Sequence, residues 1–127
     1  MLPYDLTESD TFTSLSAYAV KLLIDITQQY NGYNNGDFTA SWTYMKKRGW
    51  KSRETLDNKV RELIDAGFIE KTRQGGKHQC NLYAITWQAI DECRGKLDVN
   101  ETRVASRRWK NRGTIIDKTN TIAGVDE

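Results

Sequence analysis

The chain has 127 residues, 28% charged and 38% apolar, with a formal net charge of +2. That length fits one domain with a tail, and the apolar share supports one modest core. Its apolar runs are far shorter than the ~18 residues that suggest a membrane span, and the acidic start MLPYDLTESD lacks the layout of a secretion signal. Cys80 and Cys93 form no CxxC pair. Together with the missing signal, this leads us to expect reduced thiols in a cytoplasm.

Residues 1–15 read as irregular, turning apolar at Phe12 and Leu15, and residues 1–11 of them form the N-terminal lead-in. Ser16 is a candidate N-cap for a helix from about Ala17 to Tyr30. Within it Val20, Leu23, Ile24, Thr27 and Tyr30 recur at helical spacing and are expected to face a core, with Lys21, Asp25 and Gln28 on the other side. The turn-rich segment NGYNNGD follows, then a short strand at Asp37–Thr39. Ser41 is placed to cap a helix of about Trp42–Arg48, which Gly49 stops, leaving Trp50 to lock the turn against the core. Ser52 then caps a helix of about Arg53–Ala66, whose stripe Leu56, Val60, Leu63 and Ile64 is amphipathic. Gly67 suits the left-handed position that closes many helices. Phe68–Arg73 and Asn81–Trp87 read as strands joined by a glycine-rich loop, and Gln88–Arg94 as a short terminal helix. From Gly95 the pattern weakens, so residues 96–127 are expected to form a basic, flexible C-terminal tail.

The element order is therefore helix, strand, helix, tight turn, helix and hairpin. The expected fold class is α+β: a winged helix-turn-helix of three helices plus a two- or three-stranded antiparallel wing over residues 12–95. Such an arrangement sets one helix and one hairpin side by side as a surface for duplex DNA. Charge follows the same division. Residues 1–45 carry one lysine against five acids, and residues 46–77 carry ten Lys or Arg against five acids. A basic middle of this kind is the footprint of a phosphate-facing surface.

On the second helix of the pair, the side opposite Leu56, Val60 and Leu63 holds Glu54, Asn58, Arg61 and Asp65. Asn and Arg make paired hydrogen bonds to base edges, so Asn58 and Arg61, with Arg53 and Thr55 near the helix start, are the candidate base contacts. Glu54, Glu62 and Asp65 oppose that reading, because they repel phosphate. Lys46, Lys47, Arg48 and Lys51 form a basic collar, and Arg73 and Lys77 sit beside Gly75-Gly76 of the hairpin; these six are the candidate backbone contacts. In the tail, Arg107, Arg108, Trp109 and Lys110 interleave charge with an aromatic, which suits backbone tracking with stacking or docking onto a partner.

Catalysis finds little support. The single histidine, His78, leaves one candidate for a Ser-His or Cys-His nucleophile. His78, Cys80 and Cys93 lack the close ligand spacing of a zinc site, and no phosphate-binding glycine loop is present. No cofactor, metal or catalytic residue is expected.

The blocks Asn34-Asn35-Gly36, Lys47-Arg48-Gly49-Trp50, Ala66-Gly67-Phe68-Ile69, Thr72-Arg73-Gln74-Gly75-Gly76 and Leu82–Trp87 resemble a family of small winged-helix proteins of bacterial prophages and integrative elements. More distantly they are similar to the winged-helix N-terminal domains of phage replication proteins and plasmid initiators. The resemblance spans roughly residues 12–98. It implies the winged fold and DNA binding in replication initiation or transcriptional control of a mobile element. The rival expectation is a protein-docking winged helix that modulates a host complex, such as a defence or nucleic-acid-processing machine.

Overall fold

The computed structural model describes residues 2–76 and 79–110. Four of the five α-helices between Tyr4 and Ala66 start at a serine whose hydroxyl accepts a backbone N–H from the first turn, a donor that the helix itself leaves unsatisfied. Helix α1 (Tyr4–Thr7) is the exception and follows Pro3. Ser9 caps α2 (Asp10–Thr13), Ser16 caps α3 (Ala17–Thr27), Ser41 caps α4 (Trp42–Lys46) and Ser52 caps α5 (Arg53–Ala66). Strands β1 (Phe38–Thr39), β2 (Ile69–Arg73) and β3 (Leu82–Ile85) form one antiparallel sheet in the order β1-β3-β2. The class is thus mixed α+β, as the sequence predicts.

Two helices occupy the stretch expected to be irregular. At four residues each, α1 and α2 are too short to show a 3.6-residue period. They are held by burial instead: Leu6 is fully enclosed, and Phe12 meets Phe68 edge-on with ring centroids 6.2 Å apart.

Helix α3 buries Ala19, Leu22, Leu23, Asp25 and Ile26, while Ile24 stays 50% exposed. The expected inward face was thus rotated by about one residue. Periodicity assigned Asp25 to solvent, whereas the fold turns it inward. Helix α5 matches its expected stripe, with Leu56, Val60 and Leu63 buried.

Gly67 closes α5 at φ +87°, a conformation that disfavours any side chain. It also meets a second constraint. A Cβ there would lie 2.7 Å from the Arg108 carbonyl carbon and the Trp109 nitrogen, so the chain crosses the end of α5 at contact distance. This crossing belongs to the stretch expected to be a flexible tail. Residues 96–110 instead join the fold: Asp98 N–H donates to the Thr72 carbonyl (2.8 Å), Thr102 N–H to Ile90 (2.9 Å) and Arg107 N–H to Thr86 (2.7 Å). Trp109, only 1% exposed, stacks on Phe68 at 5.8 Å. All four residues of β3 are buried. The remainder of the expected tail, 111–127, lies outside the described residues.

The helix expected at Gln88–Arg94 does not form; only a 3-10 turn, Cys93–Gly95, is present. Asn35 explains why. Its buried amide nitrogen donates to the carbonyls of Ile85, Gln88 and Ala89, and its oxygen accepts the Ile85 N–H at 2.9 Å. A helix would need the Gln88 and Ala89 carbonyls as its own acceptors, and here they are already engaged.

Candidate functional site

Residues 53, 57, 60, 61 and 64 recur at helical spacing, so they share one flank of α5. That flank faces the β2–β3 hairpin across an open groove of about 450 Å³. Val60 and Ile64 give it apolar wall, Arg53, Asp57 and Arg61 stand on the helix side, and Lys71 and Tyr83 lie opposite, with Trp42 of α4 also lining it. Burial holds the Tyr83 phenol above its ordinary value, although Asn81 donates to its oxygen; Asp57 and Cys80 add to the upward shift. Tyr83 therefore keeps its proton at neutral pH.

The candidate base contacts divide. Arg53, Asn58 and Arg61 are exposed, and Arg53 and Arg61 line the groove. The Arg61 Nη1 donates to Asn58 Oδ1 at 3.3 Å. Thr55 does not join them: it is half-buried and lies on the flank of Lys59 and Glu62, which turns toward α3. Trp42 and Asp57 were missed as groove residues, because only the hairpin's position relative to α5 brings them beside Lys71.

Among the candidate backbone contacts, Lys46, Lys47 and Lys51 are exposed as expected. Arg48 is not a free collar residue. Its Nε and Nη2 donate to Asp25 Oδ1 at 3.1 and 3.0 Å. Arg73 is half-buried, its Nη2 donating to the Cys80 carbonyl at 3.0 Å, so it braces the hairpin. Lys77 lies outside the described residues.

Of the four tail residues, Trp109 is corrected, and the three cations are found in ion pairs within the chain. Arg107 and Lys110 both pair with Asp5 (3.2 and 3.4 Å), Arg108 pairs with Glu70 (3.2 Å), and Trp109 is core. These cations answer acids of the same chain, and the aromatic has no face left for stacking a ligand.

One of the opposing acids is also internal. Glu62 accepts the Ser16 backbone N–H and hydroxyl, both at 2.9 Å, and Lys59 Nζ at 3.1 Å. Burial alone would raise its carboxyl, but the Ser16 and Lys59 bonds outweigh that and hold it below the usual value. Glu62 therefore ties α5 to the start of α3, while Glu54 and Asp65 remain exposed.

Asp25 does the corresponding work at the other end. Its carboxylate receives Lys21 Nζ (2.8 Å), Trp50 Nε1 (2.8 Å) and the Arg48 guanidinium, and Lys21 also donates to the Arg48 carbonyl (2.8 Å). Trp50 locks the turn between α4 and α5, as expected, and the buried carboxylate supplies the polar anchor. This brace orients α4 and α5 relative to α3, and so sets the direction in which Lys46, Lys47 and Lys51 project.

Burial, helped by Asp37 and Asp91, pushes the Cys93 thiol up to about 11, so it stays protonated at neutral pH. Among the described residues no group of three or more His, Cys, Asp or Glu is arranged to hold a metal ion, and no helix is long and apolar enough to cross a membrane. No protein-family model, curated protein or solved structure matches this chain.

Proposed function

We propose that the chain is a winged helix-turn-helix protein that binds double-stranded DNA, with α5 in the major groove and the β2–β3 hairpin as the wing. The observation that carries this reading is the shared groove of α5 and the hairpin, edged by Arg53 and Arg61 on one side and Lys71 on the other. The element order and the sheet order β1-β3-β2 support it. So does the internal use of Glu62, which removes one acid from the proposed contact face. Arg53, Asn58 and Arg61 meet base edges, while Lys46, Lys47, Lys51 and Lys71 meet phosphates. The biological setting proposed, on the resemblance alone, is replication initiation or transcriptional control of a mobile element.

Binding of labelled duplex, followed by fluorescence anisotropy across a salt series, tests this. Four phosphate contacts at ~0.9 each give an expected slope of log K on log salt near about −3.6. Replacing Lys46, Lys47 and Lys51 together with Gln is expected to reduce that slope by about 3 and to leave the melting temperature unchanged. A flat salt dependence would rule out the duplex reading.

Exposed Glu54, Asp57 and Asp65 on α5 favour a second reading, in which the same surface docks a host protein or ribonucleoprotein. Recovery of a stoichiometric, nuclease-insensitive protein complex would promote it over the first.

A further inference from the structure

On α5, Asn58 and Arg61 stand three residues apart on adjacent turns, both exposed, and the Arg61 Nη1 donates to the Asn58 side-chain oxygen at 3.3 Å. Arginine has five N–H donors and no acceptor, so the amide can meet it only through its oxygen. That contact fixes which way the amide points. The Asn58 NH2 is turned away from Arg61, and the remaining Arg61 N–H groups are left for an outside partner. The pair thus presents mostly donors, while one of the two lone pairs of its acceptor oxygen is engaged within the helix.

This bears on which base the helix selects. A free asparagine reads adenine with both halves of its amide: the oxygen accepts from N6–H2 and the nitrogen donates to N7. Guanine offers two acceptors, N7 and O6, on the same edge. We propose that Asn58 and Arg61 act as one donor-rich unit that selects guanine at a single position of the bound duplex. This rests on the duplex reading above. Asp57 stands one turn before Arg61 and is exposed. Its charge disfavours a phosphate oxygen as the Arg61 partner and leaves a base edge as the better acceptor.

The test is selection from a randomised duplex pool by the full chain and by Arg61→Ala, each followed by binding to the selected site and its guanine-to-adenine counterpart. The native chain is expected to enrich guanine at one fixed step and to lose roughly tenfold in affinity when that guanine becomes adenine. Arg61→Ala frees the Asn58 oxygen, so the preference at that step is expected to switch to adenine. Arg61→Met repeats the measurement with the apolar stem retained, guarding against a local loss of helix. If Arg61→Ala weakens both sequences equally and leaves the base preference unchanged, Arg61 contacts phosphate and the inference is wrong. Enrichment of adenine by the native chain also overturns it, with the duplex reading intact. If the native chain enriches no duplex even at low salt, both fall together.

Discussion

Replacing Trp109 with alanine is expected to destabilise the fold by about 3–5 kcal/mol, the range for deleting a large buried aromatic. The indole is 1% exposed and lies on the Phe68 ring at 5.8 Å, and Phe68 in turn meets Phe12. The backbone on either side is equally constrained. Gly67 leaves no room for a Cβ beneath it, and the Thr11 hydroxyl donates to the Trp109 carbonyl at 3.3 Å. One side chain therefore joins α2, the end of α5 and residues 107–110, and the cavity left by alanine cannot close without moving all three. Urea unfolding followed by Trp fluorescence and circular dichroism measures the loss. A change below about 0.5 kcal/mol, typical of surface substitutions, would mean that Trp109 is an appendage and not core.

The second large effect concerns Asp25. Asp25→Asn keeps the shape but removes the charge and points an NH2 at groups that only donate. The expected cost is about 3 kcal/mol, the lower end for breaking a buried ion pair, because Lys21 and Arg48 keep some access to water. A pH signature accompanies it. Burial alone would raise the Asp25 carboxyl, but the bonds from Lys21, Trp50 and Arg48 prevail and hold it below its ordinary 3.8. A group depressed in the folded state binds its proton more readily when unfolded. Its contribution is therefore complete above 3.8 and is lost as pH falls through the folded value. Glu62, lowered from 4.5, acts in the same direction. Stability measured from neutral pH down to pH ~3 should fall in the native protein and fall less steeply in Asp25→Asn. Parallel curves for the two would assign the acid sensitivity to other groups.

What the sequence made legible is mostly local. Ser16, Ser41 and Ser52 each cap the helix expected to follow them, and Gly67 takes the left-handed conformation that closes α5. These features depend on a few neighbouring residues. So does the stripe Leu56, Val60 and Leu63, which sets the inward side of α5. The missed features depend on partners far along the chain. Asp25 reads as a solvent residue until Arg48 and Trp50 meet it, and Arg48 reads as a phosphate contact until Asp25 claims it. Glu62 is spent on Ser16, which lies 46 positions away. Trp109 sits in a stretch with no period, so nothing local marks it as core. For the candidate site, Arg53, Asn58 and Arg61 were legible from helix phase, whereas the groove required the hairpin's position beside α5.

Asn35 carries a consequence for chemical ageing. It stands before Gly36, a dipeptide in which the following backbone nitrogen readily attacks the side-chain amide of an unfolded chain and releases ammonia. In the native protein the amide is gripped by four hydrogen bonds that hold it away from that attack. An aspartate formed there would set a carboxylate against three carbonyl oxygens and leave the Asn35 pocket without its donors. Time spent unfolded should thus become irreversible damage. Chains held in denaturant should lose refolding yield in step with the aspartate or isoaspartate found at position 35 by peptide mapping, while folded samples of the same age keep Asn35 and their yield.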